Sequence, residues 1–232
     1  MPKSKFSTPI DPVWKPLFRV SGWAALLVAF FIPIQLTVFF ISPPPTTTIN
    51  WFNLFHNHWL IGLLDMDLLL VLDTLLFIPV YLAFYAALHR LSPSAMVIVL
   101  AFALIGITTY CASAGAFNML SLSNQYAAAE SETQKTILLA VGQATMSNWQ
   151  GTAFDAGYVL QGISLLIISV VMLRGGIFNK AITYLGIVIS VMMLFPPTAG
   201  TIGMVLAVGS VFPLGIWCVL IGLRFLKLGK IA

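Results

Sequence analysis

Long apolar runs separated by short polar segments dominate this chain. A helix needs about 20 apolar residues to cross the hydrocarbon core of a bilayer, and most of these runs reach that length. We therefore predict an all-α fold, a single domain over residues 1–232 that forms a bundle of six transmembrane helices. The predicted spans are Gly22–Ile41, Trp59–Leu88, Ser94–Leu122, Gly151–Leu173, the run between Lys180 and Pro196, and Thr201–Leu223.

The polar segments between the runs define the predicted loops. Residues 1–19 form a cytoplasmic N-terminal segment, and 42–58 and 123–150 form two exterior loops. Within the longer loop, Ile137, Leu138, Val141 and Met146 recur at helical spacing. We predict an amphipathic helix there, lying on the membrane surface between the third and fourth spans.

The fifth run is short, because only about 22 Å of helix fits between Lys180 and Pro196. Two interpretations stay open. Either Ile177 and Phe178 extend the helix at its start, or Phe195–Gly203 is unwound backbone inside the protein, where neighbouring helices or water satisfy it.

Composition agrees with a lipid environment. The chain is 59% hydrophobic and 8% charged, whereas a soluble domain carries about 25% charged residues. The formal net charge of +4 is small. In so apolar a chain it bears on how the protein is oriented in a membrane, and it excludes a nucleic-acid-binding surface, so no nucleic acid is expected as a partner. The two cysteines give neither a disulfide framework nor a metal-ligand spacing.

The basic residues predict the orientation. With six spans, all of the 11 lysines and arginines except Lys135 fall on the same side as the two termini. By the positive-inside rule this side is the cytoplasm. We expect a multi-pass protein of the cell (inner) membrane with both termini cytoplasmic and the lipid bilayer as its immediate partner.

A polar layer is predicted at one depth of the bundle. Asp73 lies about 24 Å along its helix from the cytoplasmic turn at His89. The same offset in the other spans reaches Gln35, Tyr110 and Tyr158, with Gln161 slightly deeper. An acid at this depth either stays protonated and donates a hydrogen bond between helices or serves a proton or cation pathway.

A second group of candidate residues is predicted nearer the exterior surface. Its imidazoles and carboxylates are ligands that zinc and other divalent metals accept. In a helix, however, residues two apart point to nearly opposite faces, so a site would need an extended loop. The candidate ligands are His56, His58, Asp65, Asp67 and Asp155.

Small residues mark a predicted packing surface in the third span. Thr108–Ala116 contains a single large side chain, so another backbone can approach it closely. We expect Ala112, Gly115 and Ala116 to form this contact, either within the chain or in a dimer.

Four sequence features carry a family resemblance: Tyr126–Glu130, Trp149–Phe154, Met172–Arg174 and Tyr184–Gly186. Together with the order of the spans, they resemble an uncharacterised family of six-helix prokaryotic membrane proteins, a domain-of-unknown-function group. The resemblance implies a six-helix fold in a prokaryotic cell membrane. It implies no activity, so no functional residue is carried over.

Three functions fit these observations. The first and favoured one is a non-catalytic accessory or structural subunit that packs against other membrane subunits or against itself. The second is a small proton- or cation-coupled transporter that uses Asp73. The third is an intramembrane metal-dependent lipid hydrolase at the outer leaflet, although the chain contains no HExxH, CxxC, P-loop or GxSxG motif. No cofactor is expected.

Overall fold

A computed structural model describes residues 11–231 of the chain, without the side chain of Ile231. Within this range a short 3-10 turn (Pro12–Trp14) is followed by ten α-helices, and there are no strands. Residues 1–10, with the predicted cytoplasmic bases Lys3 and Lys5, lie outside the described residues. The helices are α1 (Lys15–Ile41), α2 (Thr48–Asn57), α3 (Trp59–Met66), α4 (Leu68–Leu88), α5 (Pro93–Ser113), α6 (Ala116–Ala128), α7 (Glu132–Trp149), α8 (Thr152–Leu173), α9 (Lys180–Met192) and α10 (Gly200–Ile231).

Five stretches of the described chain are long and apolar enough to cross a membrane. The predicted all-helical, membrane-spanning class is thereby confirmed. The sixth predicted span corresponds to α9, which has 13 residues and is only about 20 Å long. The count of six therefore stays a prediction. The five stretches are Pro12–Ile41, Leu68–Leu88, Pro93–Ala128, Glu132–Leu173 and Gly200–Lys230.

Antiparallel pairing brings both ends of the described chain to one end of the bundle. Arg19 near the start of α1 donates from Nε to the carbonyl of Gly229 near the end of α10, at 3.1 Å. Ser21 of α1 donates to the Pro79 carbonyl of α4 at 2.6 Å, so α4 also runs antiparallel to α1. Leu91 touches Gly175, which places the turn after α4 beside the turn after α8. We call this the basic end, because Lys15, Arg19, Arg90, Arg174, Lys180, Lys227 and Lys230 lie in or beside these helix ends.

The opposite end carries a second hydrophobic core, separate from that of the bundle. It joins α2, α3, α6 and α7, which we call the cap. The large side chains Trp51, Phe52, Phe55 and Met66 are 0 or 1% exposed within it. The sequence predicted exterior segments at α2 and α7, with a helix in the second of them, and placed α3 and the start of α6 within spans. In the structure all four are helices that contribute to one separate core.

Two of the predicted continuous spans are each divided into two helices in the structure. The run 59–88 divides at Asp67 into α3 and α4, and the third span divides at Ala114–Gly115 into α5 and α6. The predicted surface helix within 124–150 corresponds to α7, which begins at Glu132 and has Ser131 as its N-cap. Its lying on the membrane stays a prediction.

The small residues of the predicted packing surface in the third span have different surroundings within the described chain. Ala112 is exposed, whereas Gly115 and Ala116 are buried at the start of α6 rather than in the middle of a span. The close approach of α5 to another helix occurs one to two turns earlier, where Gly106 meets Gly157 of α8. Small residues permit a turn at 114–115, which hydropathy alone did not distinguish from a helix interior.

The segment after α9 is a non-helical turn, which we call the unwound segment. Ile177 and Phe178 are not helical, so the first interpretation of the short run is wrong. The turn covers 193–199, because α10 already begins at Gly200, which has a φ of +74°. It joins two antiparallel helices, since Trp217 of α10 contacts Ile182 of α9 and Gly209 lies against Met192.

The second interpretation, unwound backbone inside the protein, is wrong as well. Phe195, Thr198 and Ala199 are exposed. Short-range hydrogen bonds satisfy part of this backbone, among them Leu194 N to Val191 O at 3.3 Å and Ala199 N to Pro196 O at 3.0 Å.

Candidate functional site: an intramembrane cavity

A cavity of about 220 Å³ lies between α1, α4, α5, α8 and α10. Met193, the first residue after α9, also lines it, so the unwound segment begins at the cavity wall. Most of the lining is aliphatic or aromatic. Its polar members include all five residues of the predicted layer: Gln35, Asp73, Tyr110, Tyr158 and Gln161.

Gln35 presents an amide oxygen without a partner. It lies on the buried face of α1 and is 5% exposed. Its Nε2 donates to the carbonyl of Leu64 in α3 at 3.1 Å, which fixes the orientation of the amide because two oxygens would repel each other there. The buried Oε1 accepts no hydrogen bond. Gln35 therefore leaves one acceptor available.

Asp73 adds a second unused acceptor. It lies on α4 and is partly buried, and its Oδ1 is buried without a hydrogen-bond partner. No lysine or arginine of residues 11–231 forms an ion pair with it, since the bases of the described helices cluster at or near the basic end, apart from Lys135, which pairs with Glu132 in the cap. A carboxylate in an apolar setting needs a proton, a cation or a donor to compensate its lost hydration.

Tyr110 and Tyr158 reach the cavity from a tightly packed pair of helices. A side-chain Cβ on Gly157 would lie 2.7 Å from the Gly106 carbonyl oxygen, so α5 and α8 can approach this closely only with glycine there. Phe154 lies between the two phenols, with ring centroids 5.4 Å from Tyr110 and 6.3 Å from Tyr158. The glycine crossing thus sets the spacing of both tyrosines.

Gln161, unlike Gln35, has no buried side-chain atom that lacks a hydrogen-bond partner. It is 9% exposed, and its Nε2 contacts the Gly157 carbonyl of its own helix at 3.4 Å. It lies one turn beyond Tyr158, as its predicted depth requires.

Reasoning from depth alone did not predict the aromatic residues in the cavity wall, which we call the aromatic wall. Phe77, Tyr81, Phe84 and Trp217 line the cavity. The indole N–H of Trp217 donates to the Ile182 carbonyl at 3.1 Å, so this residue is oriented by α9. The one available sequence signal was the i, i+4 spacing of Phe77 and Tyr81, which puts both on one face of α4.

The five candidate metal ligands are not brought together. His56 and His58 are exposed in and just after α2. Within residues 11–231 no group of three His, Cys, Asp or Glu side chains could hold a metal ion. The carboxylates instead have separate surroundings.

Asp67 joins two helices of the cap to the bundle. Its Oδ2 accepts from the backbone N–H groups of Gly115 at 2.6 Å and Ala116 at 3.2 Å. It therefore caps the start of α6 from the break between α3 and α4. Burial raises the pKa of Asp67, and these two hydrogen bonds offset only part of that rise.

Asp65 and Asp155 differ sharply in their surroundings. Asp65 of α3 is 0% exposed, and neither carboxylate oxygen has a hydrogen-bond partner. Burial raises the pKa of Asp65 to about 7. Asp155 in the first turn of α8 accepts a hydrogen bond of 2.5 Å from the Thr198 hydroxyl, which ties the unwound segment 193–199 to α8.

The long apolar helices, the basic end of the bundle opposite the cap and the cavity with its polar residues define a multi-pass integral membrane protein. The chain belongs to the family described as "Domain of unknown function (DUF4386)", whose profile matches residues 21–229. The resemblance to an uncharacterised family is thereby confirmed. No curated protein and no solved structure matches the chain.

Proposed function

We propose that this protein is a small, non-catalytic membrane carrier that binds a solute in the intramembrane cavity and couples its binding to a proton or cation at Asp73. The observation that carries the proposal is the Asp73 carboxylate in the wall of a mostly apolar cavity, with a buried oxygen that no protein group satisfies. Ligand sites are typically apolar with a few placed polar groups.

The unwound segment 193–199 supports the same proposal. Segments that connect helices are more mobile than the helices themselves. Here Met193 lines the cavity, and Thr198 in the same segment is attached to α8 through Asp155. A rearrangement of this segment would therefore change the cavity wall directly.

A carbodiimide experiment tests whether Asp73 is an accessible acid. Dicyclohexylcarbodiimide is apolar and forms stable adducts with protonated carboxyl groups. In nanodiscs we expect an adduct on Asp73, located by peptide mass spectrometry and absent from Asp73→Asn. Asp155→Asn is the matched control, because Asp155 does not line the cavity. A wild-type protein that carries no adduct on Asp73 would contradict the proposal.

Proteoliposomes test the coupling itself. Vesicles loaded with a pH-sensitive dye would be given a panel of small aromatic solutes with neutral, acidic and basic head groups. We expect at least one solute to drive a pH change in wild-type vesicles above the empty-vesicle control, and Asp73→Asn to lose it. Identical traces for both proteins, above the empty-vesicle control, would remove Asp73 from the mechanism.

An accessory-subunit role is the second candidate, supported by α7. Ile137 and Val141 are 58 and 45% exposed, four residues apart on one face of this cap helix. Such a face suits another membrane subunit. Purification in mild detergent should then yield a stoichiometric partner that Ile137→Glu loses, whereas a partner-free wild-type protein would contradict this role.

A further inference from the structure

We infer that the ligand of the cavity is a small organic amine, held through its ammonium group by Asp73 and Gln35 and through its apolar body by the aromatic wall. This inference rests on the proposed function and names the solute class. It starts from the hydrogen-bonding groups that the cavity leaves unused.

The unused groups are acceptors. Asp73 Oδ1 and Gln35 Oε1 are both buried without partners, and the amide donor of Gln35 is already used by the Leu64 carbonyl. A ligand that satisfies both must bring donors. An ammonium group carries up to three N–H donors and a positive charge, so it compensates the carboxylate as well as the amide oxygen.

No lysine or arginine of residues 11–231 lines the cavity. Among the described residues, Lys15, Arg19, Arg90 and Arg174 lie at the basic end, and none of them lines the cavity. An anionic ligand would meet the Asp73 carboxylate without a compensating base, which disfavours it.

A divalent metal cation fits this cavity poorly. Calcium takes six to eight oxygen ligands and magnesium demands octahedral coordination, whereas most of this wall is carbon. Phe77, Tyr81 and Trp217 offer ring surfaces to which an organic cation is attracted. The indole N–H of Trp217 is used by Ile182, so Trp217 offers its ring rather than a hydrogen bond.

The volume limits the size of the amine. An apolar cavity of about 150 Å³ accommodates benzene, and this one measures about 220 Å³. The difference leaves room for a short aminoalkyl chain on a single ring. When the amine enters as an ammonium ion, a protonated Asp73 releases its proton. The ammonium ion then takes the place of the proton at the carboxylate, which couples movement of the amine to movement of a proton.

The test compares two molecules of nearly the same shape. Phenethylamine carries the ammonium group, and 2-phenylethanol replaces it with a neutral hydroxyl. Binding of each to purified protein in nanodiscs would be measured by calorimetry for the wild type, Asp73→Asn and Glu130→Gln. Asp73→Asn preserves side-chain shape, and Glu130→Gln removes one negative charge from an exposed position outside the cavity.

We expect the wild type and Glu130→Gln to bind phenethylamine, and Asp73→Asn to bind it at least about tenfold more weakly, as expected for a lost charge-assisted hydrogen bond. The affinity for 2-phenylethanol should change less than about twofold. Gln35→Leu should weaken amine binding as well, because it removes the second acceptor.

The outcomes separate the amine inference from the proposed function. Equal binding of both molecules, unchanged in Asp73→Asn, would overturn the amine inference and leave a cavity that binds small apolar solutes. Binding of neither molecule to the wild type would overturn the amine inference. The proposed carrier function would still be tested separately, by the carbodiimide adduct and by the solute panel in proteoliposomes. An equal loss of amine binding in Glu130→Gln would overturn the assignment of the ammonium site to Asp73.

Discussion

The crossing of α5 and α8 at Gly157 gives the sharpest stability prediction. A Cβ at this position would lie 2.7 Å from the Gly106 carbonyl oxygen and 2.9 Å from the Tyr110 backbone nitrogen. Ordinary contacts begin at 3.4 Å, so relief requires a separation of about 0.7 Å (3.4 − 2.7). Both neighbours are backbone atoms, which cannot move without the whole helix. Gly157→Ala must therefore push α5 and α8 apart.

The expected cost follows from the packing that this separation loosens. A gap of about 0.5–1 Å forfeits a quarter to a half of the dispersion energy of each affected contact, and overpacking typically costs about 1–3 kcal/mol. Gly215→Ala is the matched control, because its Cβ would meet nothing closer than Ile32 at 3.7 Å. Both variants gain the same helix propensity of about 1 kcal/mol, so their difference isolates the helix crossing.

An SDS unfolding titration, followed by circular dichroism, measures this difference. We expect Gly157→Ala to have a free energy of unfolding about 1–3 kcal/mol below that of Gly215→Ala. Gly106→Ala should fall between them, because its Cβ would lie 3.1 Å from the Gly157 oxygen. If Gly157→Ala and Gly215→Ala unfold at the same SDS fraction, the crossing is not as close as described here and the placement of Tyr110 loses its explanation.

Three further predictions concern the cap and the unwound segment. Asp67→Ala should lower the free energy of unfolding by about 1–2 kcal/mol, because α6 loses its cap. Asp67→Asn keeps an acceptor oxygen and should lose less. Equal losses in the two variants, measured by SDS titration, would contradict the capping role. The raised pKa of Asp65, about 7 against 3.8, means that the folded state holds a proton which the unfolded state has released, so stability should fall as pH rises from about 4 to 7. Thermal unfolding across this range should show a smaller fall for Asp65→Asn, and an unchanged fall would refute the assignment. Gly203→Ala should destabilise the protein by about 1–3 kcal/mol, because its Cβ would overlap the Pro196 carbonyl oxygen; stability equal to that of Gly215→Ala in the same titration would count against this packing.

The sequence predicts a shared depth for the polar residues, because the surface of a bilayer is a common reference from which distance along each helix is measured. Basic turns mark one surface and helical rise measures distance from it. That reasoning selected Gln35, Asp73, Tyr110, Tyr158 and Gln161, and these residues line one cavity. Whether they serve a solute stays a prediction until the experiments above are done.

The side to which each residue points could not be predicted in the same way. Lipid is as apolar as the interior of the bundle, so hydropathy along α4 or α5 does not distinguish a buried face from a lipid-facing one. The aromatic wall and the Gly106–Gly157 crossing were missed for this reason. The close approach was expected instead near Ala112, which is exposed.

The sequence by itself determined the membrane class and the clustering of most bases at one end, because the thickness and charge preference of a bilayer act along one dimension. Tertiary structure alone decided where the helices break, as at Asp67 and Ala114, and which acid meets which partner, as Asp155 meets Thr198. These outcomes depend on how helices from distant parts of the chain rotate and pack against one another. Local hydropathy carries no information about that rotation.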